Sequence, residues 1–340
     1  MVAEAYIADR VVGSKPERPI QRNAKWTART IRDPFIAAWG NRAVTDITRN
    51  DVLDLIRLKK KTAPEEARSQ LARIKNLFSW ALDQSYGLDR SPASDIKPAN
   101  IVGEKNARSR TLNNTELRAL WAAADETPYP VGPFYKLLIL SGLRLNELAE
   151  ANWSEVDMAK RELLIPAARM KGRNSGSDGR KAKPHLVPLS QAMVELLDSL
   201  PRFEHGDYLF STTKGRRPIH IGSKVKAIID TKVLAQLRLI AKERGNDPKK
   251  VVLEDWVNHD LRRVVRSNLS ALKVVKEEVA EAILAHAKPG IVGTYNVYQY
   301  ADEKGEALEL WAARLREIVT PPAPEPDKAN VVRMRRKARA

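Results

Sequence analysis

The sequence contains no cysteine among its 340 residues. This absence excludes disulfide bonds, thiolate zinc sites and cysteine nucleophiles, and it is compatible with a reducing compartment. Apolar runs long enough to cross a membrane are also missing, and the N-terminal stretch MVAEAYIADRVVGSK lacks the basic-then-apolar order of a signal peptide. We therefore expect a soluble protein of the cytoplasm with no membrane partner.

An excess of basic residues is the strongest feature of the composition. The chain has 59 Lys and Arg residues against 42 Asp and Glu residues, which gives a formal net charge of +17 at pH 7. Such a charge indicates a polyanionic partner, and nucleic acid is the favoured class. Because the excess extends along the whole chain, we expect contact with the partner on several faces and not through one basic arm.

The length of the chain predicts two domains. Helix start signals and apolar spacing at 48–60, a long amphipathic stripe at 65–83 and the segment 26–39 predict a small helical domain. We place this domain at residues 1–105, because the Pro- and Ser-containing stretch LDRSPASDIKP has the composition of a linker.

Residues 106–319 have the pattern of a mixed domain. The short apolar runs RELLIP and HLVPLS predict two strands of a hairpin, joined by a long polar, Gly-rich loop. Helical patterns occur at 111–125, 134–153 with a break at Gly142, 223–244, 259–285 and 305–318. The predicted fold is thus mainly α, with a small helical domain followed by an α+β domain that contains a small antiparallel sheet. The proline-rich and then basic tail, 320–340, is predicted to be disordered.

Two basic groups stand out in the second domain. Arg144 follows an apolar helix, where a guanidinium needs an anionic partner; the simpler interpretation is an ion pair with Glu147, three residues on. His259 and Arg262 are one helical turn apart and so share a face, which would allow them to grip one phosphate. A solvated basic helix face explains that pair equally well.

The residues of the stretch ILAHAKPGIVGTYNVYQY can likewise be interpreted either as catalytic groups or as packing residues. His286 ends an apolar segment, and Tyr295 follows a loop-forming stretch that would deliver a side chain to a pocket. Each is also explained by packing, and packing is the stronger interpretation for Tyr298 and Tyr300.

In chain order, Arg144, a hairpin lysine, His259 with Arg262, His286 and Tyr295 resemble the catalytic set of the tyrosine recombinase family, in its phage and genomic-island integrase type. LILSGLRLNELAEANWSEVD resembles the first arginine box of the family, HDLRR the second, and LAHAKPGIVGTYN the terminal histidine and nucleophile. The resemblance covers residues 20–318.

The resemblance implies a role for each residue of the set. Tyr295 attacks a scissile phosphate and forms a 3'-phosphotyrosine bond, while Arg144 and Arg262 hold nonbridging oxygens through forked hydrogen bonds. His286 donates to the same oxygens, and His259 accepts or guides the phenol proton.

A hairpin lysine is expected to protonate the departing 5'-oxygen. Lys171 matches the family position, and Lys181 and Lys183 in the same long loop are the alternatives. No metal is expected, because many basic groups would already surround the phosphate. No ATP site is expected either, because the sequence has no P-loop signature and the phosphotyrosine ester retains the energy for rejoining.

The family resemblance also implies a C-shaped clamp around a double-stranded DNA core site, assembly to a tetramer on paired sites, and nucleoid association. DNA-bending or directionality factors are further partners of such enzymes. Many integrases of this type carry an additional N-terminal arm-binding domain; either this member lacks one or the sequence is a fragment. A type IB topoisomerase, an inactive DNA-binding relative and a basic RNA-binding or scaffolding protein are the competing interpretations.

Overall fold

The structure is a computed structural model that describes residues 2–14, 20–21, 23–105, 108–170, 183–286 and 300–321. The chain divides into two compact units, Met1–Arg108 and Ser109–Ala340. Each unit has an apolar core of its own. Every helix in the described ranges is too short or too polar to cross a bilayer.

The first unit is helical, as predicted. Its helices are α1 (Val2–Tyr6), continued by a π-helical turn at Ile7–Val12, then α2 (Ala24–Trp39), α3 (Arg49–Lys60), α4 (Pro64–Asp83) and α5 (Pro98–Val102).

The predicted helix start at 48 is confirmed by its capping contacts. The Thr48 hydroxyl accepts from the Asp51 main-chain N–H at 3.3 Å, and the Asp51 carboxylate accepts from the Thr48 N–H at 2.7 Å. This reciprocal pair satisfies two N–H groups that the helix itself leaves unbonded. The stripe predicted for 65–83 is buried in α4, where Leu71, Ile74 and Phe78 enter the core.

The second unit is mainly helical with a small sheet. Its helices are α6 (Asn114–Asp125), α7 (Val131–Ser141), α8 (Leu145–Ala149), α9 (Gln191–Asp198), α10 (Ser223–Glu243), α11 (Asn258–Ala271), α12 (Glu277–Ile283) and α13 (Ala301–Val319). Its strands are β1 (Val156–Asp157), β2 (Glu162–Ile165) and β3 (His185–Pro188).

The three strands form one antiparallel sheet in the order β1-β2-β3. Leu163 lies opposite Val187, and Ile165 lies opposite His185. The hairpin prediction is therefore confirmed, while its loop, residues 171–182, lies outside the described residues. The predicted fold class, helical with a small antiparallel sheet, is also confirmed.

The helical pattern predicted over 259–285 is divided between two helices. The backbone becomes extended at Leu272, and α12 begins again at Glu277. This break has a physical reason, because it lets a second helix bury Val279, Ala280 and Ile283 in the core.

The core of the second unit is centred on α7, whose residues from Leu137 to Ser141 are all buried. Trp311 of α13 is also buried, and its indole N–H donates to the Ile139 carbonyl at 3.0 Å. Helix α13 therefore packs on the element that leads directly into the Arg144 segment. The predicted tail lies outside the described residues from 322 onward.

Candidate active site

Arg144 is placed by a turn that only glycine forms easily. Gly142 ends α7 with φ +64, and a Cβ there would lie 3.0 Å from side-chain carbons of Leu284 and Val265. Glycine is needed both for the left-handed backbone and for this close approach. The chain then reverses, and Arg144 becomes the residue before α8.

The ion pair of Arg144 with Glu147 is present. One guanidinium nitrogen, Nη1, donates to Glu147 Oε1 at 2.7 Å, and the Arg144 main-chain N–H donates to Oε2 at 3.1 Å. The second nitrogen, Nη2, donates to the main-chain carbonyl of Ala285 at 3.3 Å. Glu147 and the Ala285 carbonyl thus orient the guanidinium toward the end of α12.

Arg262 is buried on α11 and also bonds to main-chain carbonyls. Its Nη1 donates to the Gly142 carbonyl at 2.7 Å, and its Nη2 donates to the Leu284 carbonyl. Burial, together with the positive charge of Arg144, lowers the pKa of Arg262 to about 10. Arg144 and Arg262 therefore converge, since they end on consecutive carbonyls.

These carbonyls are available because of the way α12 ends. Ala285 has φ +47, its N–H donates to the Ala282 carbonyl at 3.1 Å, and the His286 N–H donates to the Glu281 carbonyl at 3.1 Å. This pair of bonds is the Schellman arrangement of a helix C-terminus. It leaves the carbonyls of residues 283–285 without helical partners, and side chains from other elements donate hydrogen bonds to them instead.

His286 is exposed and is oriented by a carboxylate. Its Nδ1 forms a hydrogen bond with Glu281, which also accepts from Arg266 Nε at 2.6 Å. Burial raises the pKa of Glu281, but the hydrogen bonds from Arg266 and His286 outweigh that effect and hold the pKa below its usual value. Because the Glu281 carboxylate occupies Nδ1, Nε2 is the nitrogen that can face a ligand.

His259 lies in the first turn of α11, one turn before Arg262. Partial burial lowers its pKa, and the positive charges of Arg262, Arg263 and Arg144 lower it further. The imidazole is therefore neutral at pH 7 and able to accept a proton. Because His259 precedes Arg262 by three residues in α11, the two side chains lie on the same face of the helix.

Some of the remaining predicted residues lie within the described ranges, and others lie outside them. Lys171 and Tyr295 lie outside the described residues, as do Lys181 and Tyr298. Lys183 is exposed just before β3. Tyr300 precedes α13 and packs against the core of the second unit, as expected for a packing aromatic.

Two buried basic residues of the second unit were not predicted. His185, the first residue of β3, is 7% exposed, and Lys304 of α13 is 3% exposed. A histidine at a core-facing position of an alternating strand was the available signal for the first. The sequence gives no such signal for Lys304, because a lysine in an amphipathic helix normally reaches solvent.

Comparisons with known proteins agree with this geometry. The sequence model of the phage integrase family matches residues 110–302, and the model of the phage integrase central domain matches residues 1–99. Among curated proteins, prophage integrase IntZ of Escherichia coli K12 is 26% identical over 322 residues, which cover 94% of this chain and 71% of IntZ.

Solved integrase structures share the fold. A lambda integrase dimer bound to a COC' core site has a TM-score of 0.58 at 15% identity and covers 84% of this chain and 94% of that chain. A lambda integrase tetramer bound to a Holliday junction has a TM-score of 0.59 at 15% identity, with coverage of 84% and 76%.

The family match spans most of the second unit, including Arg144, His259, Arg262 and His286. The matches confirm the prediction of a recombinase and do not support the topoisomerase alternative. The chain belongs to the phage integrase family and is a site-specific tyrosine recombinase that exchanges DNA strands.

Proposed function

We propose that Tyr295 cuts DNA at a phosphate held by Arg144 and Arg262 and forms a 3'-phosphotyrosine bond. The observation that supports this most directly is the convergence of the two guanidiniums on the adjacent carbonyls of Leu284 and Ala285. Cationic donors that are fixed in advance stabilise the charge that develops on a phosphate during its displacement.

Each guanidinium keeps donors for the phosphate. An arginine has five N–H groups. Within the described part of the chain, Arg262 uses one on Gly142 and one on Leu284, and Arg144 uses one on Glu147 and one on Ala285. The remaining N–H groups of both side chains suit two nonbridging oxygens, which a lysine would hold with less geometric definition.

The proton transfers involve three further residues. A phenol has an ordinary pKa of about 10, so Tyr295 needs a base, and the lowered pKa of His259 suits it to that task. As the bond from Tyr295 Oη to phosphorus forms, the bond from phosphorus to the 5'-oxygen breaks, and Lys171 gives that oxygen a proton. Lys181 and Lys183 are the alternatives for this acid.

His286 completes the set as a donor to the phosphate through Nε2, because Glu281 occupies Nδ1. Donation from both nitrogens requires the imidazolium form, and the Glu281 carboxylate balances its charge. The phosphotyrosine ester retains the energy of the broken bond. A 5'-hydroxyl from another strand then reverses the attack and rejoins the DNA.

We assign residues 1–105 to binding the core site and residues 106–319 to catalysis on the same DNA. The net charge of +17 and the match of residues 1–99 to the phage integrase central domain support this division. Because lambda integrase forms a tetramer on a Holliday junction, a tetramer on paired sites is the proposed working form. The region from 305 through the 320–340 tail is the proposed subunit contact.

The substrate of the proposed reaction is DNA of a mobile element, inserted or released in the cytoplasm in association with the nucleoid. DNA-bending or directionality factors are the proposed accessory partners. These finer assignments rest on the kind of enzyme to which the chain belongs.

The test is covalent capture on nicked duplexes taken from the ends of the element that carries the gene. A nick lets the short fragment that carries the freed 5'-hydroxyl diffuse away, so the phosphotyrosine bond cannot be reversed and a denaturation-resistant adduct accumulates. We expect Tyr295→Phe to abolish the adduct and Tyr298→Phe to retain it. The opposite pattern would contradict the assignment of the nucleophile.

A further inference from the structure

His185 occupies a core position that strands usually fill with an apolar side chain. Along β3 the residues alternate, with His185 and Val187 buried and Leu186 and Pro188 partly exposed. A buried imidazole is costly unless it is hydrogen-bonded. The partner of this side chain therefore indicates why a histidine is present.

The partner is the carbonyl of Ile283, the last residue of α12, at 3.1 Å from His185 Nε2. A carbonyl oxygen only accepts, so Nε2 must carry the hydrogen. Burial, and then the positive charges of Lys304, Arg262 and Arg144, lower the pKa of His185 to about 3. The side chain is thus a neutral donor.

This bond completes a set of three. The end of α12 leaves three consecutive carbonyls, and each one is taken by a different side chain. His185 binds Ile283, Arg262 binds Leu284, and Arg144 binds Ala285. The strand, α11 and the segment before α8 are thereby joined to one short stretch of backbone that leads into His286.

Strand β3 is itself fixed from another side. Lys304 Nζ donates to the Leu186 carbonyl at 2.5 Å, and a Cβ on Gly305 would lie 3.6 Å from Pro188, an ordinary packing distance. Helix α13 therefore packs closely on β3. A side chain on this fixed strand can therefore hold the end of α12 in place.

We infer that His185 is a positioning residue for the recombinase reaction: it holds the 283–286 backbone at the place where Arg262 and Arg144 are directed at the phosphate. This inference rests on the proposed role of the two arginines. It assigns no proton transfer to His185, since a neutral, buried donor already has its hydrogen engaged.

Two substitutions separate positioning from core filling. His185→Leu fills the core but leaves the Ile283 carbonyl unpaired, whereas His185→Gln keeps an N–H donor near the position of Nε2. If His185 only fills space, leucine is the better replacement. If it positions the carbonyl segment, glutamine is the better one.

The kinetic test measures single-turnover formation of the covalent adduct at saturating nicked DNA, together with the Kd for DNA. We expect His185→Leu to slow adduct formation about tenfold or more, because one buried hydrogen bond is lost, and to change Kd less than about twofold. His185→Gln should restore the rate to within about threefold of the wild type. The exposed His205, changed to leucine, is the matched control.

A rate for His185→Leu equal to that of the wild type would overturn the inference, and so would recovery by leucine but not by glutamine. A structural test that needs no activity uses ¹⁵N-labelled histidine in the full chain. The His185 imidazole should remain a neutral Nε2–H tautomer between about pH 8 and about pH 5, and its protonation in that range would also overturn the inference. Failure of the wild type to form any adduct would instead contradict the proposed function, and the tautomer would still be decided by this titration.

Discussion

The carboxylate of Glu281 binds Nδ1 of His286, and the two residues lie on either side of the end of α12. The helix end brings them together, because the Schellman turn folds the His286 main chain back onto the Glu281 carbonyl. A short, locally closed loop therefore fixes both the position and the usable nitrogen of this histidine.

We expect Glu281→Gln to slow covalent adduct formation about tenfold, because the amide oxygen can still accept from His286 Nδ1 but lacks the negative charge that strengthens the hydrogen bond. Single-turnover cleavage of nicked DNA measures the change. Glu278→Gln, an exposed acid on the same helix, is the control and should cleave normally. Equal rates for the two variants would show that His286 needs no orienting carboxylate.

Replacement of Arg262 by lysine should impair both stability and activity. An ammonium cannot reach the carbonyls of Gly142 and Leu284 with the fork of a guanidinium, so a buried carbonyl is left unpaired at a cost of about 1–3 kcal/mol. Urea unfolding measures the loss of stability, and adduct formation should fall at least about 100-fold. Arg263→Lys, next to it and less buried, is the control; an equally large loss there would contradict a specific role for Arg262.

Replacement of Ala285 by glycine should stabilise the folded protein. Its φ of +47 lies in the left-handed region, which costs a non-glycine residue about 1–2 kcal/mol. Part of that gain is offset by the larger backbone entropy of glycine in the unfolded chain, so we expect Ala285→Gly to raise the free energy of unfolding by about 0.5–1 kcal/mol.

The control for that change is Ala282→Gly inside α12, which should lower the free energy of unfolding by about 1 kcal/mol. Thermal and urea unfolding of the two variants give opposite signs if the left-handed conformation is strained. A loss of stability for both would mean that the strain at Ala285 is relieved elsewhere.

The neutral state of His185 makes stability depend on pH. Its folded pKa of about 3 lies below the unfolded value of about 6.5, so the unfolded chain binds the proton first as the pH falls. The contribution of neutral His185 to the free energy of unfolding is complete above pH 6.5, and it is lost progressively between about pH 6.5 and about pH 3.

Between pH 6.5 and pH 5 the loss amounts to about 2 kcal/mol of unfolding free energy. His185→Gln removes the titrating group and keeps the donor, so its stability should fall less over the same interval. Urea unfolding of both proteins at the two pH values measures the difference. Parallel decreases would mean that His185 is protonated in the folded protein.

Binding to core-site DNA should depend strongly on salt. If six or more phosphates are neutralised by basic side chains, affinity falls about 10³-fold or more between 50 and 200 mM salt. Fluorescence anisotropy with labelled duplex measures the slope. A flat response would contradict binding through many contacts with the DNA phosphates.

Local sequence pattern was sufficient for much of the fold. The cap formed by Thr48 and Asp51, the buried stripe of α4 and the hairpin strands were all predicted, because each depends on neighbours in the chain or on a period of two or 3.6 residues. The break between α11 and α12 was not visible in the periodicity, since the apolar spacing continues across it. The position of this break depends on the contacts that α12 makes with the core.

The candidate site was predicted as a set of residue types in chain order, and that order was enough to identify the family. Which atoms hold these residues was decided only in three dimensions. Every residue carries a main-chain carbonyl, so no letter in the sequence marks Ile283, Leu284 and Ala285 as the ones left unpaired. That property arises from where a helix stops and from the strand and helices that pack beside its end, which bring His185, Arg262 and Arg144 to three successive oxygens.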